Sequence, residues 1–99
     1  MSKHVLKNVK FNLSVSVFKQ GDVYVAYAPT LDISTYGSSK EEARKNFDEL
    51  VEVFLAEFKD ARELAQVLES LGWTKQKSTW QPPTQEQRTI SVPAALVSA

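Results

Sequence analysis

The sequence predicts an α+β fold: a three-stranded antiparallel sheet, a long amphipathic helix, a second short helix and one or two further C-terminal strands, in the order β-β-β-α-α-β. Three observations carry that prediction. Apolar and polar residues alternate from Val9 to Phe18, Gly21-Asp22 punctuates two β-prone runs, and apolar residues at helical spacing fill Lys40 to Phe58 behind a capping signal.

In the first strand Val9, Phe11, Leu13, Val15 and Val17 alternate with Lys10, Asn12, Ser14 and Ser16, so one face is buried and the other wet. Lys19-Gln20-Gly21-Asp22 supplies the Gly and Asp that a short hairpin loop needs for positive φ. The antiparallel partner, Val23 to Ala28, is apolar or aromatic on both faces, as in a strand flanked on both sides, and Pro29 removes a ladder donor and ends it. With Val23 and Val25 set towards the helix, Tyr24, Ala26 and Ala28 line the opposite face. A one-sided layer leaves that face open unless the C-terminal segment or another subunit covers it. Ile33 to Tyr36 reads as a third short strand before Gly37.

Ser39 precedes Glu42 by the capping-box spacing, so a helix begins at Lys40. Its inward stripe is Ala43, Phe47, Leu50, Val51, Phe54, Leu55 and Phe58. Leu64, Val67, Leu68 and Leu71 start a fresh pattern that stops at Gly72, which gives a second short helix after a bend near Asp60. Trp73 and Trp80 bracket a polar stretch that reads as a strand or an extended lid, and Pro82-Pro83 ends it. Thr89-Ile90-Ser91-Val92 is a short β signal closed by Pro93, of the kind that adds to a free sheet edge in the same chain or a neighbour. The expected division is an α+β domain over 1–83 and a tail with a short terminal strand over 84–99.

Ninety-nine residues with 42% hydrophobic content suffice for one compact core. Twelve bases balance twelve acids, so the basic excess of a protein that holds nucleic acid by phosphate neutralisation is missing. The charge is uneven. Only bases precede Asp22, whereas Lys40 to Glu63 holds eight acids against five bases. There is no cysteine, no apolar run near the roughly 18 residues of a membrane span and no apolar stretch behind the N-terminal lysines. The expectation is a cytoplasmic protein with no membrane span and no cofactor.

Catalytic motifs are sparse. His4 is the single histidine, beside Lys3 near the N-terminus. No Gly-x-Ser-x-Gly elbow is present, and Gly21, Gly37 and Gly72 are too scattered to cradle a phosphate. Asp32, Asp48, Glu49 and Glu52 are the acids available to an oxygen-ligated metal, but helical spacing turns Asp48 and Glu52 away from the apolar stripe. The residues point away from an enzyme. Tyr24, Tyr27, Tyr36, Trp73 and Trp80 suit either a partner surface or the core and rim of a small sheet.

Val23-Tyr24-Val25-Ala26-Tyr27-Ala28-Pro29-Thr30-Leu31-Asp32, then Ser34-Thr35-Tyr36-Gly37, then Lys40-Glu41-Glu42-Ala43 with Asn46, resembles the N-terminal domain of the HicB-type antitoxin family. That family's usual wording is a Tyr-x-Ala-x-x-Pro-x-Leu strand and corner, a Ser/Thr-x-Gly turn and a Glu-Glu-Ala helix start. Leu68-Glu69-Ser70-Leu71-Gly72-Trp73 and the later Trp80-x-Pro-Pro are similar to a variant branch, and the resemblance covers about residues 9 to 83. It implies a degraded ribonuclease-H-like domain without the nuclease's acidic site, and the first strand, where that fold places an essential Asp, has no carboxylate from Val9 to Phe18. It also implies a protein that binds and neutralises a small mRNA-cleaving ribonuclease toxin in a type II toxin-antitoxin system. Many members add a C-terminal DNA-binding segment. Thr89-Ile90-Ser91-Val92-Pro93 resembles the opening strand of a ribbon-helix-helix, but only six residues follow Pro93.

The leading expectation is therefore an antitoxin-like protein-binding module that uses a sheet edge and the Tyr27-to-Asp32 corner, with Tyr24, Tyr27, Pro29, Leu31, Asp32 and Tyr36 as partner-binding residues. The alternative is an oligomeric DNA-binding autoregulator, against which the neutral charge counts. A third reading is a residual metal-dependent nuclease built on Asp32, Asp48 and Glu52. A homodimer is expected, because a small sheet with a β-prone tail and an apolar second face has two ways to pair with itself.

Overall fold

The computed structural model describes residues 10–97, with side chains to Leu96; Val9 and His4 lie outside the described residues. Its elements are β1 (Lys10–Phe11), β2 (Ser16–Gln20), β3 (Val23–Ala28), β4 (Ile33–Gly37), α1 (Lys40–Ala56), α2 (Ala61–Ser70), β5 (Thr74–Gln76), β6 (Thr79–Gln81) and α3 (Ala94–Val97). The α+β class holds: β2-β3-β4 form a three-stranded antiparallel sheet, two helices follow, and strands return near the C-terminus.

The first strand is not the single element its alternation suggests. Ser16 pairs with Tyr27, and continuing the ladder would bring Ser14 opposite Pro29, which has no N–H to give. The chain leaves the sheet there. Lys10–Phe11 joins a second sheet, parallel to β6 (Lys10↔Thr79, Phe11↔Trp80), while β6 runs antiparallel to β5. The polar stretch between the two tryptophans is thus a hairpin, turned at Lys77, whose φ is 57°.

The hairpin between β2 and β3 is closed by Gln20 opposite Val23, with Gly21 and Asp22 as a two-residue turn. Gly21 has φ 63° and Asp22 does not share that sign, the type II′ arrangement that favours Gly first. β3 faces the other way from the expectation. Ala26 and Ala28 are fully buried with Ala43 and Phe47 of α1, while Tyr24, Val17, Leu13, Ile33 and Val51 pack around them. Two alanines let the helix approach closely, and the larger Val23, Val25 and Tyr27 are left on the far side. Complete burial of Phe47 contributes roughly 1.5–3 kcal/mol.

Both helices begin on reciprocal caps, in which the glutamate three residues on reaches back to the N–H just before the N-cap. Ser39 Oγ accepts from Glu42 N–H at 3.0 Å and the Glu42 carboxylate accepts from Ser38 N–H. Asp60 Oδ1 accepts from Glu63 N–H at 3.0 Å and Glu63 Oε1 accepts from Lys59 N–H at 2.9 Å, so the bend near Asp60 is an N-cap. At the end of α2, Trp73 N–H donates to Leu68 and Gly72 N–H to Glu69, a Schellman closure that turns Trp73 inward.

A second core forms there from Leu31, Leu68, Trp73 and Trp80, joined by Phe11, Leu13, Phe54, Leu64 and Ala65. Phe11 meets Trp73 edge-to-face with ring centroids 5.9 Å apart. Trp73 and Trp80 are core residues. The crevice where the two cores meet, lined by Phe11, Leu13, Leu31, Val51, Phe54 and Leu55, holds about 40 Å³.

The strand expected at Thr89–Val92 does not form, and residues 82–93 carry no regular secondary structure. A β signal needs a ladder to be realised, and among the described residues none is paired with it. Ile90, Val92 and Leu96 stay exposed.

Candidate protein-binding surface

In an antiparallel sheet, directly opposed residues share a face with Cβ atoms about 4.5–5.5 Å apart. The register therefore defines the face turned away from α1. Its rows are Ser16–Tyr27–Ser34, Phe18–Val25–Tyr36 and Gln20–Val23. No Lys, Arg, Asp or Glu occurs in any row. Phe18 is 42% exposed and Tyr36 65% exposed, with the half-buried Val25 between them. An aromatic-apolar-aromatic band thus crosses all three strands in contact with solvent.

At the hairpin end of the sheet, along the β4 edge beside the start of α1, lies a shallow depression of about 530 Å³, lined by Asp22, Thr35, Tyr36, Ser38, Glu42 and Asn46 among others. Gly37 makes it possible. A Cβ there would stand 2.7 Å from the Ala43 backbone nitrogen, so only glycine lets the start of α1 rest on β4. Asn46 Nδ2 donates to the Tyr36 carbonyl oxygen at 2.9 Å and fixes the backbone from which the tyrosine ring projects. The Ser38 N–H on the Glu42 carboxylate, with the Ser38 hydroxyl and then the Lys45 charge, holds its pKa below the usual glutamate range. Among the described residues the depression thus carries two acids, Asp22 and Glu42, and no base.

The six residues expected at a partner surface fall in three places. Tyr27 and Tyr36 lie on the open face. Pro29 and Asp32 are exposed at the β3–β4 corner, at the other end of the strands from the depression, where Asp32 takes φ 57°. Tyr24 and Leu31 lie away from both: Tyr24 is half-buried on the helix side, and Leu31, 6% exposed, belongs to the second core. The apolar residue that sequence reasoning missed is Phe18. Its signal was present, since it follows Val17 directly and so puts an aromatic ring on the nominally wet face of an alternating strand. Asp22, read as a turn residue, gains a second place as an acid on the rim.

Asp48 and Glu52 are exposed on α1, and Asp32 stands at the corner. Among the described residues no three His, Asp or Glu side chains are grouped as a metal site. Among the described residues no helix is long and apolar enough to cross a membrane. Comparison with protein-family models, curated proteins and solved structures finds no match.

Proposed function

We propose that this chain is a non-catalytic protein-binding module of the antitoxin type, which holds a small basic ribonuclease against the open face of the β2-β3-β4 sheet and so neutralises it. The observation that carries the reading is the solvent-facing Phe18–Val25–Tyr36 band, an uncharged aromatic surface of the composition that anchors protein partners. Asp22 and Glu42 beside Tyr36, and the acidic excess of α1, complement a partner whose own surface is built to hold RNA. The wording from Val23 to Asn46 supports the family side of the proposal. The DNA-binding alternative gains nothing from this surface, which offers no cation to a phosphate.

The test is co-expression with the short basic reading frame beside the gene, followed by an mRNA-cleavage assay. The wild-type chain should co-purify with that product and suppress cleavage. Phe18→Ser and Tyr36→Ser, both at solvent-exposed positions, should weaken the complex by about 1–2 kcal/mol each or more while circular dichroism stays unchanged. A wild-type chain that neither binds nor inhibits the neighbouring product ends the proposal.

A further inference from the structure

The two edges of the β2-β3-β4 sheet are not equivalent, and the difference follows from the register. In a two-residue hairpin the closing pair exchanges hydrogen bonds, here Gln20 with Val23, and bonded and non-bonded pairs alternate from there. Phe18·Val25 and Ser16·Tyr27 are then bonded pairs, and Val17 and Lys19 turn their N–H and C=O groups outward. The same alternation carried across β3 turns Ser34 and Tyr36 outward on β4. An independent observation agrees: the Tyr36 carbonyl is the one that Asn46 satisfies from α1. The β4 edge is therefore partly closed by its own helix. Among the described residues no group bonds the outward N–H or C=O of Val17 or Lys19. β2 carries no proline, and Lys19 is its single charge.

We propose that the β2 edge is the seat of a second copy of this chain, joined antiparallel across a two-fold axis through Phe18. Outward groups must meet outward groups, which allows only registers that pair odd-numbered residues with one another. Placing Lys19 opposite the second copy's Lys19 sets like charges directly across. Placing Val17 opposite Val17 shortens the overlap. Pairing Val17 with the second copy's Lys19 uses the whole of Ser16–Gln20 from both chains and keeps the lysines apart. In that register Phe18 faces Phe18 in a non-hydrogen-bonded pair, where side chains come closest. The two three-stranded sheets become one, and their open faces one continuous uncharged surface. A self-complementary edge accounts for a copy of the same chain as occupant.

Sedimentation equilibrium of the full chain tests this without any partner protein, so its outcome is separable from that of the proposed function. The wild type should show a concentration-dependent dimer. Lys19→Pro deletes an outward N–H while leaving every bond to β3 in place, and should weaken the dimer by about tenfold or more with an unchanged far-ultraviolet spectrum. In this cysteine-free chain, Phe18→Cys should form a disulfide-linked dimer on mild oxidation. Gln20→Cys should not, since the register sets the two copies of residue 20 about 13 Å apart. A wild type that stays monomeric at all concentrations, a Lys19→Pro variant that dimerises as well as the wild type, or cross-linking at 20 in preference to 18 overturns the proposal.

Discussion

The indole N–H of Trp73 donates to the carbonyl oxygen of Thr30 at 2.9 Å, joining the end of α2 to the β3–β4 corner across 43 positions of sequence. The bond is buried, so its loss leaves a carbonyl with neither water nor donor. Trp73→Phe keeps an aromatic ring and its edge contact to Phe11 but removes the donor. It should destabilise the fold by about 1–3 kcal/mol. Trp73→Ala adds a cavity and should cost about 3–5 kcal/mol. Urea unfolding of the three proteins checks both values.

The Thr30 side chain is the opposite case. Its hydroxyl oxygen is buried with no hydrogen-bond partner among the described residues, and burying a polar group unpaired costs free energy. Thr30→Val keeps the shape and removes the unpaired group. The expected result is a gain of about 1 kcal/mol in the same urea assay, with Trp73 fluorescence unchanged because the backbone carbonyl is retained.

Gly37 and Gly21 separate two reasons for glycine. At Gly21 none of the described residues stands within 4 Å of an added Cβ, so alanine meets the strain of φ 63°. At Gly37 the added carbon meets backbone atoms of Glu42 and Ala43, which can yield only if α1 shifts off β4. Gly37→Ala should therefore destabilise by about 1–3 kcal/mol and disturb the Asn46–Tyr36 bond. Gly21→Ala should cost about 1 kcal/mol and leave amide signals at the start of α1 unmoved.

These positions show why some of the fold was legible in the sequence and some was not. Caps and turns are local chemistry: Ser39 with Glu42, Gly21 with Asp22, and Gly72 after α2 announce themselves within a few residues. The facing of β3 is different, because Tyr24, Ala26 and Ala28 alternate with residues equally apolar, so period alone cannot choose a side. Close packing chooses it, by admitting only alanine beneath Phe47. The second sheet depends on Phe11 meeting Trp80, a parallel pairing of distant segments with no local signature. Of the candidate surface, the tyrosines were visible as amphipathic rings. Phe18 breaks the alternation that ends at Val17, and that break is the one local sign that the second face of β2 is apolar.

The Ser38–Glu42 bond makes the stability of the fold depend on acid pH. In the folded chain the Ser38 N–H stabilises the ionised Glu42 carboxylate and depresses its pKa, while in the unfolded chain the group titrates near its ordinary value of about 4.3. A depressed folded pKa means that the unfolded state takes up a proton first as pH falls. The stabilisation is then complete above the unfolded value and disappears as pH drops through the folded one. Glu42→Gln removes the titration but still offers an amide oxygen to Ser38 N–H, so the helix cap survives. Urea midpoints measured from neutral pH downward should run nearly parallel for the two proteins until about pH 5. Below that the wild type should fall more steeply and the variant should flatten. Parallel curves throughout the acid range would mean that the Ser38–Glu42 bond does not persist in solution.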